Sequence, residues 1–204
     1  MELAEISRYY TEKLGAHGAS PQGVDWNGAE SQRLRFDQLL RVSRAEPEFS
    51  LNDVGCGYGA LLDYLSSLGK KCDYVGIDIS EAMIAKAEAL HRGRPGCRFV
   101  AGERADRPAD YAIASGIFNV RLSAGEGAWH AHLMKTLEEL NACSRLGFAF
   151  NCLTKYSDPA YIKDYLFYAD PCELFDHCKT RFSRNVALLH DYGLYEFTII
   201  VRKG

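Results

Sequence analysis

The sequence predicts an α/β protein: a doubly wound, mostly parallel sheet of seven strands that ends in an antiparallel hairpin strand and carries a helical cap at its N-terminus. Three observations lead there. From Ser50 to Leu153, strand-like runs alternate with helix-like runs, the order expected when helices carry the chain across both faces of a parallel sheet. A glycine-rich stretch, LNDVGCGYGALLDYL from Leu51 to Leu65, joins the first strand of that series to its first helix. Further on, two apolar runs meet around Gly193 with no helix between them.

Residues 1–44 read as the cap, two helices separated by the loop HGASPQGVDW. In the second helix, from Gly28 to about Arg44, Leu34, Leu39, Leu40 and Val42 recur among charged residues, and Pro47 stops it. Arg33 and Arg35 fall on this helix as a solvated face. SLNDV then makes a short strand, GALLDYLSSLG a helix closed by Gly69, and CDYVGID a second strand. Ser80 caps the next helix, EAMIAKAEALHR, by offering its hydroxyl to the free amides of the first turn. CRFVA and DYAIAS follow as strands three and four across a short polar link. A helix at GAWHAHLMKTLEELNAC leads to the strand LGFAFNCL. Asp158-Pro159 and Asp170-Pro171 each set an N-cap before a first-turn proline, which predicts two short helices. Tyr161, Tyr165 and Tyr168 fall at helical spacing, as a packing stripe would. SRNVALLHDY and LYEFTIIVRK are the last strands, joined by a tight hairpin at Gly193.

Composition bounds the function. A chain of 204 residues, 47% hydrophobic, can bury one sizeable core, and a single domain over 1–204 is expected, with 45–204 as the core behind the cap. The N-terminal MELAEISRYYTEKLG mixes charged and apolar residues without a continuous apolar stretch, so it reads as neither a signal peptide nor an anchor. No later run is long enough to span a bilayer, and a cytoplasmic protein without a membrane partner is expected. The 7 cysteines are scattered, and none forms a CxxC pair or stands at zinc-finger spacing from histidines; reduced thiols acting as small buried hydrophobes are expected, and no metal site. A net charge of −3 with dispersed arginines argues against a nucleic-acid partner, because phosphate binding leaves a basic footprint.

The glycine pattern alone leaves its ligand open. Gly55, Gly57 and Ala60 satisfy the loose G-x-G-x-x-G/A dinucleotide fingerprint, and Asp78 ends the second strand where an acid takes ribose hydroxyls. Asp53, however, stands where dehydrogenase turns carry an apolar residue. With DVGCGYG at 53–59, VGIDIS at 75–80, FVAGE at 99–103 and DYAIASGIFN at 110–119, the chain resembles the class I S-adenosylmethionine-dependent methyltransferases, from about Ser50 to the final hairpin. The pattern from Tyr9 to Phe36 is similar to that of small bacterial members.

That resemblance implies a Rossmann-like core, S-adenosyl-L-methionine as cofactor and S-adenosyl-L-homocysteine as product. Gly55 and Gly57, with Cys56 between them, would let the backbone approach the cofactor, where a side chain would collide with it. Asp53 would accept from the methionyl ammonium. Asp78, followed by Ile79, would accept both ribose hydroxyls. Glu103 would meet the adenine amino group, and Ser115 and Gly116 would line the cofactor beside its sulfonium. Gly59 is read as close helix packing. Tyr10 and Trp26, in the cap, would close over the cofactor and exclude water.

The acceptor side is read from the rim of the sheet. Ligands in open α/β sheets sit beyond the carboxyl ends of the parallel strands. Asn119 after strand four and Asn151 or Cys152 in strand five therefore point toward the reaction zone, and HDYG at 190–193 opens on the same rim if strand six is parallel. His190, Tyr192 and Asn119 are the catalytic candidates, with Asp191 beside them. His130 and His132, two apart, cannot share a helix face, so no metal pair is expected there. The expected reaction is SN2 transfer of the sulfonium methyl to a nucleophilic N, O, S or C atom of a small-molecule acceptor. SGIFN stands where one group of amino methyltransferases carries an NPPY-like tetrapeptide, which leaves the acceptor atom open. Two other readings stay open: an NAD(P)-dependent oxidoreductase, and an adenosyl-cofactor-binding protein without transfer activity.

Overall fold

The computed structural model describes residues 3–44, 46 and 48–204. Seven strands, β1 (Glu48–Val54), β2 (Lys71–Asp78), β3 (Cys97–Ala101), β4 (Ala109–Ala114), β5 (Ser144–Leu153), β6 (Asn185–Leu189) and β7 (Glu196–Arg202), form one sheet in the order β3-β2-β1-β4-β5-β7-β6. The first five are parallel. β7 runs antiparallel to both β5 and β6, so β6 points the same way as β1 to β5. The antiparallel strand is thus inserted within the sheet, and β6 forms the edge.

Side-chain alternation explains why the sheet is covered on both faces. In β4, Ala112 and Ala114 enter one core while Tyr111 and Ile113 enter the other; Phe148 and Phe150 of β5 oppose Ala149 in the same way. One face is packed by α2 (Ala29–Leu40) and α3 (Ala60–Ser67), through Phe36, Leu39, Leu61 and Leu65. The other is packed by α5 (Glu126–Cys143) and α6 (Pro171–Arg181), through Leu133, Leu137, Leu174 and Cys178. Two further helices, α1 (Ala4–His17) and α4 (Glu81–Leu90), pack on each other. Among the described residues no helix is long and apolar enough to cross a membrane.

The capping chemistry read from the sequence holds for α4 and α6. Ser80 Oγ accepts from the Met83 amide at 3.2 Å, and Asp170 accepts from the amides of Cys172 and Glu173. At Pro159–Tyr161 the helix is only a 3₁₀ turn, because Asp158 spends its carboxylate on the Tyr195 hydroxyl instead of capping. The three tyrosines at helical spacing consequently lie on no common helix. Tyr165 and Tyr168 sit in an irregular segment pinned by bridges from Val120 to Leu166 and from Thr154 to Ala169.

Other expectations need correction. The cap loop contains a 3₁₀ turn, Pro21–Val24, and α2 ends at Leu40; the expected stop at Pro47 lies outside the described residues. Residues 190–195 separate β6 from β7, so the connection is a loop rather than a tight hairpin. All the cysteines are free, and Cys56, Cys152 and Cys178 are buried, but Cys172 is exposed. Arg33 is solvated as expected, whereas Arg35 is only 6% exposed and belongs to the interior.

Candidate functional site

The strand order reverses between β1 and β4, so the loops that follow these strands diverge and leave a crevice at the carboxyl end of the sheet. Two cavities open there. The narrower, about 110 Å³, lies over the β1 and β2 ends, and the wider, about 480 Å³, lies over β4, β5 and β7. Tyr10, Val24, Trp26 and Gly116 border both, which makes the cap part of the wall between them.

The narrow cavity gathers most of the glycine-rich motif. Asp53, Gly55, Cys56 and Gly57 from the β1 end meet Asp78 and Ile79 from β2, Glu103 after β3, and Ser115 and Gly116 after β4. Gly55 has φ +80°, and a Cβ there would run into Ile117. At Gly57 the Cβ would come 2.9 Å from Val24 Cγ1. Ile117 and Val24 thus already crowd these two positions within the protein itself. Gly59 packs under His91 and Phe99, as read from the sequence. Gly116, at φ +76°, lies against the edge of the Trp26 ring, where a Cβ would come 2.4 Å from Cζ2 and Cη2.

The two acids differ. Asp53 is 2% exposed, and its Oδ2 accepts from Tyr74 Oη at 2.6 Å. Burial, opposed by that hydrogen bond and reinforced by nearby Asp78, pushes its carboxyl up to about 7. Asp78 is half-buried; its Oδ1 accepts from the Ser80 amide at 2.8 Å and its Oδ2 from the Gly57 amide at 2.9 Å. Burial raises its pKa, and the two amides work against the rise. The Ser115 hydroxyl is buried in this cavity with no hydrogen-bond partner. Glu103 is exposed at the cavity mouth, and His132, not expected at the cofactor site from its sequence position, also borders it. Burial lowers the His132 pKa. His130 points elsewhere, to Glu173 at 2.8 Å.

Behind the wider cavity is a network that sequence reasoning missed. Arg35 Nε and Nη2 reach the two oxygens of Glu196 at 2.8 and 2.7 Å, both residues being buried. Asn151 Nδ2 donates to the same carboxylate at 2.6 Å, and its Oδ1 accepts from the Gly116 amide at 2.7 Å. Asn119 adds a longer contact of 3.5 Å to Glu196 and accepts from the Leu153 amide. The guanidinium lies 3.9 Å from the centre of the Trp26 ring. A signal was present: Gln32, Arg35, Phe36 and Leu39 share one helical face, and an arginine on a buried face needs a carboxylate.

The other acceptor-side candidates are placed differently. His190 and Asp191 are exposed in the loop after β6 and border neither cavity; His190 lies against the rings of Tyr156 and Phe197. Tyr192 also borders neither; its hydroxyl meets Thr198 Oγ1 at 3.1 Å, and burial raises its pKa. Cys152 is fully buried in the core. Of the catalytic candidates only Asn119 reaches a cavity wall.

The family described as a methyltransferase domain matches residues 52–147. The relative named "Putative methyltransferase Rv1506c", of Mycobacterium tuberculosis (strain ATCC 25618 / H37Rv), is 58% identical over 165 residues, covering 81% of this chain and 99% of that relative. Trans-aconitate 2-methyltransferase of Acidovorax ebreus (strain TPSY) is 34% identical over 122 residues, 55% of this chain and 46% of the relative. Among solved structures, a DhpI-SAH complex superposes with TM-score 0.63 at 14% identity, covering 97% of this chain and 95% of that one. A SAM dependent methyltransferase from Aquifex aeolicus gives 0.60 at 19% identity, covering 84% and 92%. At such identities the structural likeness speaks for the fold.

Proposed function

The chain belongs to the methyltransferase-domain family, and from that membership we propose that it transfers the methyl group of S-adenosylmethionine to a small-molecule acceptor in the cytoplasm, by in-line displacement where the two cavities meet. One observation carries the cofactor assignment: Ser115, whose hydroxyl is buried without a partner, lines a cavity whose two acids keep lone pairs to spare. When bound, the cofactor supplies a methyl carbon made electrophilic by a sulfonium.

The residues divide the work of holding it. Asp78 takes the ribose hydroxyls, because each of its oxygens accepts one backbone amide and retains a lone pair. Asp53 takes the ammonium, whose charge compensates a carboxylate that burial otherwise disfavours. Cys56 and Ile79 supply apolar wall, and Glu103 meets the adenine amino group at the mouth. Ser115 and Gly116 lie beside the reacting sulfonium. Tyr10 and Trp26 form the partition and exclude water, so that the protein contributes position and a dry enclosure. Asn119 holds the Glu196 carboxylate, while the general-base role considered for His190 has no support from its exposed position.

Calorimetric titration of the purified protein with S-adenosylmethionine, S-adenosylhomocysteine, NADH and NADPH tests the reading. The two adenosyl ligands are expected to bind and the nicotinamides to fail. Binding of a nicotinamide alone would restore the oxidoreductase alternative, and cofactor binding without turnover on any acceptor would favour the inactive binding protein.

A further inference from the structure

Each of the two carboxylates that line the wider cavity is already paired with a cation. The lone pairs of Glu196 are taken by Arg35, Asn151 and Asn119. Asp25 is held by the Lys13 ammonium and the Tyr9 hydroxyl, each at 2.7 Å. Ser157 donates to the Thr154 carbonyl, and Asn119 is engaged at both ends of its amide. Among its described lining residues, the uncommitted side-chain groups are the hydroxyls of Tyr10 and Tyr161, the hydroxyl hydrogen of Tyr165, the Trp26 indole N–H, the Asn27 amide at the exposed rim, and the Lys163 ammonium, which touches only Tyr165 Oη at 3.4 Å. Lys163 is also the one cation on this wall without a carboxylate partner among the described residues. Asp25 and Glu196 are thus outweighed by Lys13, Arg35 and Lys163.

The junction with the narrow cavity also lacks a base. No imidazole borders the wider cavity among the described residues. The Tyr10 hydroxyl, which borders both cavities, is kept protonated by burial and by the surrounding Asp25, Asp78 and Glu196. A neutral alcohol held at the junction would find no carboxylate or imidazole for its proton among the four residues that border both cavities. An acceptor that arrives already ionised needs no such help.

Building on the methyl-transfer reading above, we propose that the acceptor is an organic carboxylic acid, methylated on its carboxylate oxygen. That oxygen forms the new bond to the methyl carbon as the bond from this carbon to sulfur breaks and its electron pair stays on sulfur. The negative charge of the acid and the positive charge of the sulfonium cancel, no proton moves, and the products are a methyl ester and a thioether. Tyr10 donates a hydrogen bond to the carboxylate at the junction, and Lys163 draws the anion in from the rim. Trp26, Tyr161, Tyr165 and Tyr195 offer faces to a flat apolar body, the rings of Tyr161 and Tyr195 lying 5.4 Å apart.

The test uses the full chain with S-adenosylmethionine and three acids, benzoate, phenylacetate and trans-cinnamate, set against benzyl alcohol, cinnamyl alcohol and benzylamine. S-Adenosylhomocysteine is expected with acids alone, and the methylated product should release methanol in mild alkali, as an ester does. A second readout needs no turnover: the chain loaded with S-adenosylhomocysteine is titrated calorimetrically with each acid. Binding is expected, weakened about tenfold or more by Tyr10→Phe and by Lys163→Ala, as for loss of a hydrogen bond to a charged group. Lys163→Ala should leave affinity for S-adenosylhomocysteine itself unchanged. Alkali-stable methylation of an alcohol or the amine, or acids that fail to bind the loaded chain, would overturn the proposal. Failure of S-adenosylhomocysteine to bind at all would overturn the methyl-transfer reading and this one with it, so the two failures are told apart.

Discussion

Asp53 and Asp78 end neighbouring strands and face the same cavity, yet their surroundings assign them different work. Asp78 is held by the amides of Gly57 and Ser80, so its orientation is fixed before any ligand arrives. Asp78→Ala should lower affinity for S-adenosylmethionine by on the order of 1–3 kcal/mol, the range for hydrogen bonds to a charged group, as read by calorimetry. Unchanged affinity would remove it from the site. Asp53, with a carboxyl pushed up to about 7 by burial, gives a pH signature. Because its pKa in the folded chain is above the unfolded value, the protonated form is favoured by folding. Its contribution to stability therefore falls as pH rises through the range from about 4 to 7 and then levels. A cationic ammonium binds the ionised form, so cofactor affinity should climb between about pH 5.5 and 7.5, by at most about tenfold per unit. Asp53→Asn should flatten that profile; a wild-type affinity independent of pH over this window would rule out the pairing.

The elements are joined at the site by polar contacts as well as by packing. Arg35 on α2 and Glu196 on β7 form a bidentate pair, which Asn151 extends through β5 to the Gly116 amide after β4. Removing one partner leaves the other charge buried and unpaired. Arg35→Ala or Glu196→Ala should each destabilise the protein by about 3–5 kcal/mol in urea unfolding. The double variant should lose less than the sum, since the second deletion relieves the charge stranded by the first. A cost below about 1 kcal/mol for either single variant would mean that the pair behaves as a surface bridge. Smaller but equally local is Ser80, whose hydroxyl caps α4 just beyond Asp78; Ser80→Ala should cost about 1 kcal/mol.

At the scale of the whole molecule, the sheet is anchored by two cores while the cap rests over the cavities through fewer elements. Tyr10 and Trp26 form the partition, α1 packs on α4, and Ser7 donates to the Ile79 carbonyl at 3.1 Å. Filling the narrow cavity should add contacts to α1 and to the turn at Pro21–Val24, so their amides should exchange more slowly with S-adenosylhomocysteine bound, while those of β1 and β4 change little. Equal slowing across the sheet and cap would indicate global stabilisation alone. The strands were legible because burial on alternate faces writes period two into runs such as DYAIAS, and the cofactor-side residues because DVGCGYG and VGIDIS mark one strand–turn–helix unit and the strand beside it. The acceptor side was not legible in the same way. His190 and Tyr192 looked suitable by residue type, but the loop after β6 carries them away from both cavities. Arg35 looked solvated because its neighbours are charged, though it shares a face with Phe36 and Leu39. By itself the sequence determined the α/β order, the glycine turn and the acids at the ends of β1 and β2, since each depends on residues close along the chain. Only the tertiary structure decided that Arg35 and Glu196, 161 positions apart, meet behind the wider cavity, and that β7 inserts between β5 and β6. Contacts between such distant segments follow from strand order and two-sided packing, which no local pattern encodes.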